Sequence, residues 1–312
     1  MKAVRFHVYG TPEVLRAEDV EQPVPGAGEV RIRVAATSFN PVEGNIRAGR
    51  MQGPIPITLP HTPGLDIAGT VDALGDGVTG ITVGDRVIGA LRLTDTGAAA
   101  EYVIAPAEFL APAPASVPLE DVAGLPVVGL TAWQALFEHA AVQAGQRVLI
   151  NGAGGVVGSY AVQLAKNAGA YVIATTGSRS GDQAKAAGAD EVHSAGLPDL
   201  AEPVDVALNF AAITPEQLAA TAGLVRDGGV IVNTTIWMPA PSDEARGVRG
   251  INLYFHPDAE QLARMAALID SGALRLGPTR RVPLTGLAQV HTETLQGPIA
   301  GKVVFVTSAA GE

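Results

Sequence analysis

The chain has 312 residues, 47% of them hydrophobic and 17% charged, which is enough apolar material for two cores and the wrong balance for a disordered or fibrous chain. The formal net charge is -10 and the 21 basic residues are scattered, so no basic stripe marks a nucleic-acid partner. Cysteine is absent, and His7, His61, His139, His193, His256 and His291 stand far apart; this excludes disulfides, thiolate zinc sites and a cysteine nucleophile, and leaves no metal-ligand spacing.

The first zone, residues 1–118, reads as short alternating strands such as KAVRFHVY and EVRIRVAAT, broken by Pro and Gly turns of which PVPGAGE is the strongest. That predicts a mostly antiparallel, barrel-like β domain. The opening MKAVRFHVYG has no signal-peptide core and no apolar run is long enough to span a bilayer, so a soluble, cytoplasmic protein with no membrane partner is expected. APAPASVPLED marks the crossing into a second zone, residues 119–272. There apolar strands alternate with Ala-rich helical stretches: RVLI, VVGSYAVQLAKNA, AYVIATT, GDQAKAAGA, VDVALNF, PEQLAATAGLV and GVIVNTT. Continuous apolar strands flanked by helices predict an α/β, doubly wound parallel sheet. DAEQLARMAALIDSG reads as one more amphipathic helix, and PIAGKVVFVT as a strand returning to the first domain.

NGAGGVVG stands between the strand RVLI and a helix. A phosphate at such a turn gains backbone N–H donors and the positive end of the helix dipole, and missing side chains let it approach. The dinucleotide pattern G-x-G-x-x-G falls on Ala153, Gly155 and Gly158, with Gly152 and Gly154 as extra small residues and Val156 and Val157 opening the helix. Alanine takes the first position, and by itself a tight turn with close helix packing explains the stretch equally. AYVIATT then completes a βαβ unit of the right length. It runs into Thr175, Thr176, Gly177, Ser178 and Arg179, with no acid before Asp182. An NAD site usually carries Asp or Glu there; a hydroxyl and a guanidinium suit a 2′-phosphate, so NADPH is the expected cofactor. Arg179 also reads as a solvated residue capping the next helix. Asn209 and Phe210 end VDVALNF, and Asn233 and Thr234 close GVIVNTT; ligands gather outside the carboxyl ends of parallel strands, so these four are expected cofactor neighbours.

With VYGTPEVL, NPVEGNIRAG, PGLDIAGTV, GVTGITVGDRVIG, AEYVIAP, LPVVGLTAWQAL, the glycine turn, GAD and GKVVF in this order and spacing, the chain resembles, nearly end to end, the zinc-independent medium-chain dehydrogenase/reductase family in its quinone oxidoreductase branch. The resemblance implies a GroES-like β-barrel catalytic domain built from residues 1–118 and 273–312, a Rossmann NADPH-binding domain over 119–272, and an active site in the cleft between them. It implies homodimers and NADPH-dependent reduction of a quinone, or of a carbon–carbon double bond conjugated to a carbonyl. A 2-enone or enoyl-thioester reductase, and a non-catalytic NADPH-binding protein, are the alternatives.

The resemblance also assigns residues. Zinc-dependent relatives carry cysteine where this chain has Asn40 and histidine where it has Leu65, so no metal is expected. Asn40 becomes the candidate donor to the oxygen on which charge develops, while Asn-Pro is equally a turn opener. Asn45 stands where many relatives have Tyr or Lys, so water is expected to supply the proton. Arg47 matches a family arginine and reads either as a substrate contact or as a helix-surface ion pair. Thr131 matches the threonine near the nicotinamide and also reads as a helix-start hydroxyl. Met51, Trp237, Tyr254 and Phe255 are expected to line the substrate pocket, or else to be simply packed. Tyr9 faces the cleft on the resemblance alone, and His61 reads as structural.

Overall fold

Alternation makes EVRIRVAATS a ten-residue strand whose Val30, Ile32 and Val34 are buried, as a period of two requires. In the computed structural model, which describes residues 1–307 except 195 and 236, it is the hub of a seven-stranded sheet. In chain order the strands of the first zone, of which only the last five belong to that sheet, are β1 (Lys2–Arg5), β2 (Arg16–Asp19), β3 (Glu29–Ser38), β4 (Asp66–Leu74), β5 (Arg86–Ala90), β6 (Tyr102–Pro106) and β7 (Leu110–Pro112). β1 pairs with β2 alone, whereas β3 pairs antiparallel with both β4 and β6, and β5 joins β4 to β7. The short helix Pro41–Arg47 follows β3 directly, with Pro at its first turn.

The second zone supplies β8 (Arg147–Asn151), β9 (Tyr171–Thr176), β10 (Glu191–Ser194), β11 (Val204–Asn209), β12 (Val225–Asn233) and β13 (Arg249–Asn252). Every pair is parallel and the spatial order is β10-β9-β8-β11-β12-β13. The order reverses between β8 and β11, which is the switch point where doubly wound sheets bind ligands. Leu149, Ile173, Ala207 and Ile231 form its buried core. The helix Pro215–Gly223 begins at Thr214, whose side chain and that of Gln217 cap each other's backbone. β10 and β13 go beyond the predicted strands; each has four residues, none of them buried, too few for a legible period.

The chain then returns as β14 (Thr279–Pro283), the helix Leu287–Gln296 and β15 (Lys302–Val306), with β15 antiparallel to β3. Two units result, Met1–Val127 with His256–Glu312, and Val128–Phe255. The predicted limits were 118 and 273, and residues 308–312 of that span lie outside the described residues. The second limit moves because the helix Ala259–Asp270 packs on β5 and β7 of the first unit. There the Asp270 carboxylate accepts the N–H groups of Ala115 at 3.2 Å and Ser116 at 2.8 Å. No described helix is long and apolar enough to cross a membrane.

Candidate active site

In the second unit the glycine turn hangs from the end of β9, because Gly152 and Ala153 both donate to the Thr175 carbonyl, at 3.1 and 3.0 Å. Gly152 has φ +83°, a left-handed conformation that favours glycine. At Gly158 a Cβ would run into the Gly152 carbonyl and lie 2.6 Å from Ala153 Cα, so only glycine lets the helix start this close. Ala153 is fully buried, so its methyl group stays out of the turn's open face. The following helix, Val156–Asn167, has twelve residues and no side-chain cap from Gly155. Among the described residues no acceptor meets the N–H groups of Gly154, Val156, Val157 and Gly158. Four open donors at a helix N-terminus, walled by glycine, fit a pyrophosphate. Beyond β9, Ser178 and Arg179 are exposed, and the buried Thr176 hydroxyl has no partner among the described residues.

Across the carboxyl ends of four adjacent strands runs a ladder of side chains. Thr175 donates to Asn151 Oδ1 at 2.6 Å, Asn151 to Asn209 Oδ1 at 2.8 Å, and Asn209 to Asn233 Oδ1 at 2.8 Å. Asn233 finally donates to the Met238 carbonyl at 2.7 Å. The strand register puts Asn151, Asn209, Asn233 and Asn252 level with one another. Asn209 and Asn233, predicted to touch the cofactor, are 0% and 1% exposed, and their amides are spent inside this ladder. Any dinucleotide contact there falls to their backbone, to half-buried Phe210, and to Thr234, whose hydroxyl donates to the Asn209 carbonyl at 3.0 Å. Asn151 was not singled out, although the repeated asparagine at the ends of LIN, ALN, IVN and GIN was visible. Thr131 is half-buried inside the helix Pro126–Trp133 rather than at its start.

The first unit holds a buried polar knot. Asn40 is 2% exposed; it donates to Glu43 Oε1 at 3.0 Å and Asp66 Oδ2 at 2.7 Å, and accepts from Lys302 Nζ at 2.6 Å. Lys302 also donates to the Phe39 carbonyl at 2.8 Å and lies 3.8 Å from Asp66. Asp66 accepts the Ser38 hydroxyl and the Val127 N–H, and Glu43 accepts the N–H groups of Gly64 and Leu65. Burial pushes the Glu43 carboxyl up to about 7, and burial lowers Lys302 against the pull of Asp66 and Glu43. Asn40 therefore has no amide hydrogen left for a substrate oxygen. That corrects the expected donor role and makes Asn40 a positioning residue. Glu43, Asp66 and Lys302 were missed, because one helix residue, one strand residue and one residue from the far end of the chain share no local motif.

Zinc does not fit this knot. The two ligand positions hold an amide that is fully engaged and the apolar, buried Leu65, and an ammonium already sits beside Asp66. Among the described residues no group of three or more His, Cys, Asp or Glu is poised to hold a metal. The other candidates are divided between the two units. Asn45 is half-exposed and accepts from Arg50 at 2.8 Å. Arg47, read as a substrate contact or a surface ion pair, is 3% exposed and instead holds the Gly10 carbonyl and His291. Met51 is 1% exposed, a buried residue of the first unit. Trp237 and Tyr254, in the second unit, are 60% and 52% exposed, with Phe255 half-buried. Tyr9 packs on Phe6.

Burial also holds two histidines neutral: His61 is pushed down to about 4, and His291, next to Arg47, to about 3. An unfolded chain protonates both below about pH 6.5. Each therefore contributes stability that is intact above that pH and lost as pH falls toward 4 and 3. Glu43 opposes them, keeping its proton to about pH 7 when folded and releasing it near 4.5 when unfolded. Two protons against one leave a net loss of about 1.4 kcal/mol per pH unit on acidification from 6.5 to 4.5. The urea midpoint should fall across that range, and His291→Phe should flatten the slope. A wild-type midpoint constant from pH 6.5 to 4.5 would contradict this.

Comparison with known proteins bears on the same residues. Residues 26–115 match the family model for the alcohol dehydrogenase GroES-like domain, and residues 187–305 match that for zinc-binding dehydrogenase. The chain is 31% identical to the chloroplast envelope quinone oxidoreductase homolog of Arabidopsis thaliana, over 97% of this chain and 98% of the relative. Among solved structures, the quinone oxidoreductase from Coxiella burnetii superposes with a TM-score of 0.88 at 28% identity, covering 99% of both chains. An NAD-dependent alcohol dehydrogenase gives 0.87 at 29% identity, covering 99% of this chain and 100% of the other.

Proposed function

The chain belongs to the medium-chain dehydrogenase/reductase family, in its quinone oxidoreductase branch, and is a nicotinamide-dependent oxidoreductase; from that premise we propose that it moves hydride from NADPH to a quinone or an α,β-unsaturated carbonyl compound, without zinc. The observation that carries this reading is the open cradle of Gly154, Val156, Val157 and Gly158 N–H groups joined to a strand end with Ser178 and Arg179 and no acid. The cradle would hold the pyrophosphate, and Ser178 and Arg179 the 2′-phosphate. When bound, NADPH supplies the hydride from C4 of its nicotinamide. The chain's own part is to bind, orient and keep the reacting atoms aligned. The amide ladder stiffens the strand ends that carry Phe210 and Thr234. Asn45 has no acidic proton, so the second hydrogen of the reduced acceptor comes from water. Quinone, hydride and that proton together give the hydroquinone.

Steady-state kinetics with both nicotinamides test the cofactor half. The wild type should favour NADPH, and Arg179→Ala should lower kcat/KM for NADPH by roughly tenfold to a hundredfold while leaving NADH use unchanged, the worth of one or two hydrogen bonds to a charged group. NADH oxidised as readily as NADPH by the wild type would defeat it. A panel of a quinone, an enone and an enoyl thioester decides the acceptor. Asn45 in place of Tyr or Lys supports one second reading, a non-catalytic NADPH-binding protein. Tight NADPH binding with no turnover of any acceptor would favour it.

A further inference from the structure

Gly154 lacks a side chain for a reason other than the approach of a phosphate. A Cβ at this position would run into Oγ and Cβ of Ser180 and lie 3.1 Å from the Ser180 carbonyl oxygen. A half-buried serine from the loop after β9 therefore fills the space that any larger residue at 154 would need. That loop is closed on itself. Ser180 donates its N–H to the Gly177 carbonyl at 3.2 Å, and its hydroxyl reaches the same oxygen at 3.4 Å. Ser178 and Arg179 are the two central residues of the resulting four-residue turn, and both are exposed. At its other end the loop leaves β9 at Thr176, beside the Thr175 carbonyl that accepts from Gly152 and Ala153. The glycine turn and the turn carrying Ser178 and Arg179 are thus joined at two points, and both lie in the second unit.

We infer that Ser180 is a positioning residue for cofactor choice: seated on Gly154, it holds Ser178 and Arg179 at a fixed distance from the glycine turn, so that a dinucleotide carrying a 2′-phosphate engages both turns at once. The adenosine sets the spacing between the pyrophosphate and the 2′-phosphate. A loop already held in place loses less conformational freedom when it takes the second of these groups. Once the first turn has bound, the second contact forms as an intramolecular event. NADH has no 2′-phosphate and gains nothing from the placement of this loop. The inference rests on the NADPH reading and adds what keeps the selecting residues in position. In sequence Gly154 read as one more small residue for the phosphate, because Ser180 stands on the far side of a helix and a strand.

Calorimetric titration of the whole protein with NADPH and with NADH tests this without relying on turnover. Gly154→Ala drives a methyl group into Ser180, and Ser180→Val crowds the same contact from the other side. Each should weaken NADPH about tenfold, the worth of one hydrogen bond to a charged group, and NADH by no more than about threefold. Adding Ser180→Gly to Gly154→Ala frees the space and should recover most of the NADPH affinity, which general damage to the turn would not allow. Unchanged NADPH affinity in the folded single variants, equal losses for the two nicotinamides, or no recovery in the double variant overturns the positioning role and leaves the cofactor reading standing. A wild-type protein that binds NADH as tightly as NADPH overturns both.

Discussion

Lys302→Met should destabilise the protein by about 3–5 kcal/mol, the cost of removing one partner from a buried charge cluster. Lys302 is 6% exposed and Asp66 is 0% exposed. Losing the ammonium leaves Asp66 buried beside the second carboxyl, Glu43, and strips Asn40 Oδ1 of its only donor among the described residues. The effect should spread, because Lys302 also holds the Phe39 carbonyl and thereby joins β15 to the chain leaving β3. A double-mutant cycle with Asp66→Asn isolates the charge component. With that carboxylate already neutral, Lys302→Met should cost far less than in the wild type. Urea unfolding measures all four proteins. A single-variant cost below 1 kcal/mol would mean that the knot is held by its neutral hydrogen bonds alone.

Gly158→Ala should cost the protein most of its cofactor. The new methyl group would meet the Gly152 carbonyl and Ala153 Cα, both backbone, so no side chain can swing aside. The turn must open, and the N–H groups of Gly154 and Val156 then no longer converge. Two hydrogen bonds to a charged phosphate are worth roughly 3–6 kcal/mol, so NADPH should bind more than a hundredfold more weakly. Calorimetric titration gives the Kd, and circular dichroism checks that the fold survives. Affinity within threefold of wild type would show that the pyrophosphate does not sit in this turn.

These two sites differ in how far they can be read from sequence. The glycine turn is local: strand, bare turn and helix follow one another without interruption from Arg147 to Asn167, and each has its own period or composition. The same holds for β8, β9, β11 and β12, whose apolar runs need no partner to be recognised. The knot is not local. Its members sit at positions 38, 40, 43, 66 and 302, and only β3 pairing with β15 brings the last of them to the first. Asn40 therefore stood out as a lone polar residue at a matching position, and a catalytic donor was the natural reading. Its burial among two carboxyls and an ammonium shows a residue that holds others in place. Arg47 was misjudged for a related reason: on a seven-residue helix its surface or buried side depends on Gly10 and His291, which arrive from opposite ends of the chain. The asparagine ladder is the intermediate case, since each member ends a legible strand while the bonds between them depend on strand register.

Anaerobic stopped-flow at 340 nm addresses the central claim most directly, with the purified protein first dialysed against a strong chelator and then mixed, with NADPH bound, against 1,4-benzoquinone. The account predicts that NADPH absorbance is lost in step with one equivalent of hydroquinone formed, at a rate the chelator does not change. Loss of turnover on chelation and recovery with zinc, or no NADPH oxidation by benzoquinone, an enone or an enoyl thioester, would contradict it.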